Sequence, residues 1–168
     1  MNSTLICPIR KVAVNALPEE RIRVQLLCDL INKLEYPVGT IAVEKELKQV
    51  PHLRSFAGKL PQRRADVLCF AKGIHPTEDL YPLLLIECKS VKLTSRMVNQ
   101  VVGYNHYLQA HFIALVNQEE IRTGWFDHDL GTYQFVSYLP TYSQLISFLE
   151  KEMGTCKSSR SSSTEHKN

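Results

Sequence analysis

Apolar residues fall into two alternating rhythms along this chain. From Pro18 to about Leu34 they recur at helical spacing: Val24, Leu27, Leu30, Ile31 and Leu34 make one stripe, with Ile22 and Leu26 at its margin. Pro18 in the first turn, followed by Glu19 and Glu20 at the positive end of the helix dipole, marks the start of this helix. Glu20 lies seven residues before Leu27, so the stripe predicts that it points inward, whereas Glu19 falls nearer the margin. At Ile41 the period changes to two. Ile41, Val43, Lys45 and Leu47 share one face of a predicted strand, with Ala42, Glu44 and Glu46 on the other.

Two further strands follow, in RRADVLCF (63–70) and YPLLLIECKS (81–90), joined by a polar stretch. Leu83 to Ile86 is an unbroken apolar run, the pattern of a strand covered on both faces. Thr94 or Ser95 caps a second helix that runs to about Gln109, with Met97, Val101, Tyr104 and Leu108 on one face. Phe112 to Val116 reads as a short buried strand. A strand, a helix and a strand in succession favour a parallel crossover. Thr123–Phe126 and Thr132–Tyr138 read as a hairpin over the turn DHDLG, and a last helix ends near Met153, docked by Leu145, Ile146 and Leu149. The predicted fold class is α/β: a three-layer α-β-β-β-α-β core with a central mixed sheet, plus a C-terminal hairpin and helix. Residues 1–17 form an arm or edge strand, 18–153 the domain, and the serine-rich segment 154–168 a disordered tail. Gln49 to Gln62 reads as a long polar connection.

Composition narrows the class. A chain of 168 residues, 44% of them hydrophobic, fits one domain with a substantial core. The five cysteines include no C-x-x-C pair, which predicts reduced core thiols in a cytoplasmic protein. No apolar run approaches the roughly 18 residues of a membrane helix, and no signal peptide opens the sequence. The formal charge of +3 matters less than its distribution. Between Lys45 and Arg64 lie Lys45, Lys48, Arg54, Lys59, Arg63 and Arg64 against the single acid Glu46, a pattern that suits either a phosphate-facing flap or a solvated loop.

The residues that carry chemistry end the third strand. Glu87 and Lys89 share one of its faces and Cys88 takes the other, while Asp66 in the preceding strand could face them if the two strands pair. Two carboxylates and an ammonium at the end of a buried strand call for compensation, which a divalent metal would supply, although the same residues also suit an ordinary solvated strand end. No G-x-x-x-x-G-K-[ST] and no G-x-S-x-G occurs, so neither a P-loop motor nor a serine-hydrolase elbow is present in this sequence. Asp127 and Asp129 lack the remaining ligands of a calcium loop.

Asp66 followed by Glu87, Cys88 and Lys89 after an apolar strand resembles the motif of the PD-(D/E)XK nuclease superfamily. RADVLCF and LLLIECK, with PEERIR upstream and Gln100 and Tyr104 downstream, are more closely similar to the N-terminal nuclease domain of type I restriction enzyme R subunits and its stand-alone relatives. The similarity runs from about Cys7 to Tyr138. It implies a restriction-endonuclease-like core and Mg2+-dependent cleavage of DNA, with Mn2+ as an alternative ion. By the same resemblance Asp66, Glu87 and the backbone carbonyl of Cys88 hold the metal, Lys89 handles the attacking water, and Glu20 assists from the first helix. Gln100 and Tyr104 match a Q-x-x-x-Y motif that positions the substrate strand, and Arg54, Lys59, Arg63 and Arg64 would meet phosphates. Two departures stand out: Val24 where glutamine is expected, and Val116, Asn117 and Gln118 where threonine, asparagine and glycine are expected. Translocation, in a restriction system, would come from a separate helicase or translocase polypeptide. The rival reading is a non-catalytic nucleic-acid-binding or scaffolding module that keeps the nuclease fold.

Overall fold

The apolar strands of the sequence pair into one six-stranded sheet in a computed structural model that describes residues 3–160. Ahead of it, β1 (Thr4–Ile6) and β2 (Ala13–Asn15) form a separate antiparallel hairpin, and α1 (Pro18–Asn32) follows directly. The sheet consists of β3 (Ile41–Glu46), β4 (Arg64–Lys72), β5 (Leu80–Cys88), β6 (Phe112–Val116), β7 (Ile121–Asp127) and β8 (Thr132–Val136), in that spatial order. Only β5 and β6 run parallel, joined by the crossover helix α2 (Ser95–Leu108). The α-β-β-β-α-β core of a restriction-endonuclease-like fold is therefore present, with the C-terminal hairpin lengthening the same sheet and α3 (Tyr142–Arg160) closing the chain.

Strand alternation divides the interior into two cores. Val67, Cys69, Leu83, Ile86 and Cys88 pack with Leu26, Leu27 and Leu30 of α1 and Leu145 and Leu149 of α3. Leu68, Phe70, Leu85, Ile113 and Leu115 pack on the other face with Val101, Tyr104 and Leu108 of α2. Thr94 caps α2, its hydroxyl accepting from the Met97 N–H at 3.3 Å. The N-terminal hairpin joins the first core through Cys7, which is fully buried. Cys69 and Cys88 are buried as well; Cys156 lies among residues whose side chains are not described. Leu149→Ala is expected to lower stability by about 2–5 kcal/mol, the cost of a buried leucine, read by urea unfolding.

Three expectations are corrected. The connection from Gln49 to Gln62 is not an open loop: turns of 3-10 helix cover Leu47–Gln49 and Pro51–Lys59, and Leu47, Val50 and Leu53 are buried. Their spacing of three matches the period of that helix, a signal easily read as loop in a polar stretch. The last helix does not stop near Met153 but continues to Arg160, because each added residue of a formed helix gains a backbone bond without needing tertiary contact. Of the expected tail, 154–168, the helix takes in the first part, to Arg160, and 161–168 lie outside the described residues. The buried stripe of α1 is centred on Arg23, Leu26, Leu27 and Leu30, and Val24 is only half-buried. Among the described residues no helix is long and apolar enough to cross a membrane.

Candidate active site

Antiparallel pairing sets the beginning of β4 beside the end of β5, with Val67 opposite Ile86. This brings Asp66 to Glu87, Cys88 and Lys89. Asp66 Oδ2 accepts from the Cys88 backbone N–H at 2.9 Å, and the Lys89 ammonium lies 3.4 Å from Glu87 Oε2. Glu87 and Lys89 thus share a face, as the period of two requires, while Cys88 turns into the α1-side core. Its thiol is pushed up by burial and is not placed as a nucleophile.

Burial controls the protonation of both carboxyls. Glu87 is pushed up to about 7, by desolvation first and then by the charge of Asp66, against the opposing pull of Lys89 and Arg63. Asp66 is raised by burial too, held back by the Cys88 N–H and the charge of Arg23. The strand end therefore holds two carboxyls whose ionised forms burial disfavours.

Tyr104 rises from α2 on the same side of the sheet. Its hydroxyl is buried without a hydrogen-bond partner, its phenol is pushed up by burial and by Glu87, and the Arg63 guanidinium sits 5.4 Å over its ring. Gln100, one helical turn earlier, is exposed. Arg63 and Arg64 are exposed where β4 begins; Arg54 and Lys59 are exposed on the preceding 3-10 segment. Arg63 is thus the basic residue of the flap that the structure brings to Tyr104 and Glu87.

Glu20 points inward and Glu19 is exposed, the difference that helical spacing predicts. Its carboxylate, however, is engaged by Arg23 on the next turn of α1. Arg23 also lies 3.4 Å from Asp66 Oδ1 and 3.5 Å from Glu44 Oε1. The sequence resemblance set Arg23 on the arginine of the PEERIR motif but gave it no role. The signal for it was an arginine at the i, i+3, i+4, i+7 spacing of Arg23, Leu26, Leu27 and Leu30, a position that burial permits only to a paired charge. Glu44 is half-buried and pairs with Arg10 from the hairpin turn. Its φ of 51° is unusual for a residue other than glycine.

Among the described residues, no three His, Cys, Asp or Glu side chains converge as a ready-made metal cage. The donors at the strand end are the two carboxylates of Asp66 and Glu87, with the backbone carbonyl of Cys88 between them in the chain. Such a set suits a hard cation that retains several waters.

No curated protein and no solved structure matches the chain. The family model for the Type I restriction enzyme R protein N terminus matches residues 18–140, a segment that runs from the start of α1 past the end of β8 and includes all the carboxylates of the site. The chain belongs to the family of type I restriction enzyme R protein N-terminal domains.

Proposed function

We propose that this domain is a divalent-metal-dependent endonuclease that hydrolyses DNA phosphodiester bonds. The observation that carries the reading is the meeting of Asp66 with Glu87 and Lys89 at the end of a buried strand, with Glu87 protonated up to about 7. A buried carboxylate held so far from its ordinary range favours a cation beside it. Asp66, Glu87 and the Cys88 carbonyl would hold Mg2+ or Mn2+, which when bound supplies Lewis-acid polarisation of the phosphoryl oxygen and a lowered water pKa.

The chain's own residues divide the remaining work. Lys89, kept near Glu87 by their ion pair, points its ammonium N–H donors at the attacking water and at the negative charge that develops on the phosphoryl oxygens, and the water's proton passes to solvent. Arg63, braced on the Tyr104 ring, offers a planar donor fork to a backbone phosphate beside the carboxylates. The unpartnered Tyr104 hydroxyl can donate to the same strand, with Gln100 one turn away on the helix surface. Glu20 assists indirectly, by holding Arg23. Movement along DNA, in a restriction system, would require a helicase or translocase polypeptide as partner.

Cleavage of single- and double-stranded DNA, assayed with Mg2+, with Mn2+ and with EDTA, tests the proposal. Products in either metal and none in EDTA are expected. DNA binding with no cleavage of any substrate form in either metal would overturn it in favour of a binding module. Replacing Arg54, Lys59 and Arg63 together by alanine is expected to weaken DNA binding while leaving metal binding at pH 8 or above, where Glu87 is ionised, nearly unchanged. The slope of log affinity against log salt should fall by about 0.7–0.9 for each phosphate contact removed, as read by fluorescence anisotropy.

A further inference from the structure

Arg23 and Arg10 form a second layer of charge behind the strand-end carboxylates. The guanidinium of Arg23 meets acids from three elements: Glu20 of α1, Glu44 of β3 at 3.5 Å and Asp66 of β4 at 3.4 Å. The residue is only 8% exposed, and its Nε–H has no partner among the described residues. Arg10 joins the same acids from the hairpin turn, pairing with Glu44 and lying 3.9 Å from Glu20. Its position is set by the hairpin turn. The Cys7 N–H donates to Val12 O and the Lys11 N–H to Cys7 O, both at 2.9 Å, and the Cys7 side chain is fully buried.

Three half-buried or buried carboxylates so close together need cations. Phosphodiester-cleaving sites with two metals meet that need with ions roughly 3.5–4 Å apart. Here Asp66 has the Glu87 side of the site on one hand, and on the other a guanidinium that already carries Glu20 and Glu44.

We infer that Arg23, steadied by Arg10, stands where a second metal ion would stand, so that the site takes one divalent ion at Asp66 and Glu87 and a fixed protein cation in place of the other. The first ion rests on the nuclease reading above. A guanidinium stays charged at any working pH and donates hydrogen bonds in a fixed plane, so it neutralises and orients Asp66 without loosening as conditions change. It cannot activate a water as an ion does, which leaves water activation to the one ion at Asp66 and Glu87. The hairpin, outside the matched segment 18–140, becomes part of the site through Arg10.

The test is Mn2+ titration of the full chain without DNA, followed by calorimetry and by the electron paramagnetic resonance of free Mn2+. One ion per chain is expected for the unaltered protein and two for Arg23→Ala, in which Glu20, Glu44 and Asp66 are left without their shared cation. In EDTA the melting temperature of Arg23→Ala should fall, and Mn2+ should restore most of the loss. Two ions in the unaltered protein would overturn the inference and leave the nuclease reading standing; no Mn2+ binding would overturn both. A single ion in Arg23→Ala, with no recovery of melting temperature, would also overturn the inference. Should Arg23→Ala fail to fold even in Mn2+, Arg23→Gln, which removes the charge and keeps most of the side-chain length, carries the same titration. A second ion is expected there, and its absence would overturn the inference.

Discussion

Replacing Lys89 by alanine is expected to lower the cleavage rate by about 10²–10³-fold, the range for loss of one donor aimed at developing negative charge, while leaving DNA affinity within about twofold. The ammonium lies at the reacting end of the site, not in the packing: its side chain is 27% exposed and its charged partner among the described residues is Glu87, 3.4 Å away. The measurement requires one control. Lys89 is among the charges that pull the Glu87 carboxyl down, so in the variant Glu87 holds its proton to still higher pH and competes with the metal at neutrality. Assays at pH 8 or above, at saturating Mn2+, separate that effect from the chemical step. Affinity measured in EDTA should be unchanged, and a cleavage rate equal to the unaltered protein's would remove Lys89 from the mechanism.

The metal-free protein should lose stability as pH rises through the acid range, an effect traceable to Glu87. A glutamate in the unfolded chain ionises near 4.5, whereas Glu87 keeps its proton to about 7. Between those values the folded chain binds more protons than the unfolded one, so stability falls with rising pH, and above about 7 the loss is complete. A shift of this size corresponds to about 3 kcal/mol. Asp66, raised in the same sense, adds to the fall. Urea unfolding in EDTA at pH 5 and pH 8 reads the difference, and Glu87→Gln should remove most of it. Mn2+ at pH 8 should restore stability to the unaltered protein but not to Glu87→Gln, since a bound ion stabilises the ionised form. A flat pH profile in the unaltered protein would mean that Glu87 is solvated and not poised for a metal.

Several of these features were legible in the residues alone. Period two at 41–47, the apolar run at 83–86 and the helical stripes determined the element order, because local periodicity decides which faces can be buried. The same alternation put Glu87 and Lys89 on one face and Cys88 on the other, and helical spacing turned Glu20 inward and Glu19 out. Tertiary structure decided what these residues meet. Asp66 reaches the Cys88 N–H only because β4 and β5 pair antiparallel in a register that sequence spacing does not specify. Arg63 was one of six basic residues in a flap until folding laid it over Tyr104. Arg23 was hidden most completely. An arginine on a buried stripe is costly unless carboxylates from other elements converge on it, and the partners that make its burial tolerable, Glu44 and Asp66, lie 21 and 43 residues away in the chain. Periodicity reports what a segment can bury, whereas a charge cluster depends on distances between segments, which exist only once the chain has folded.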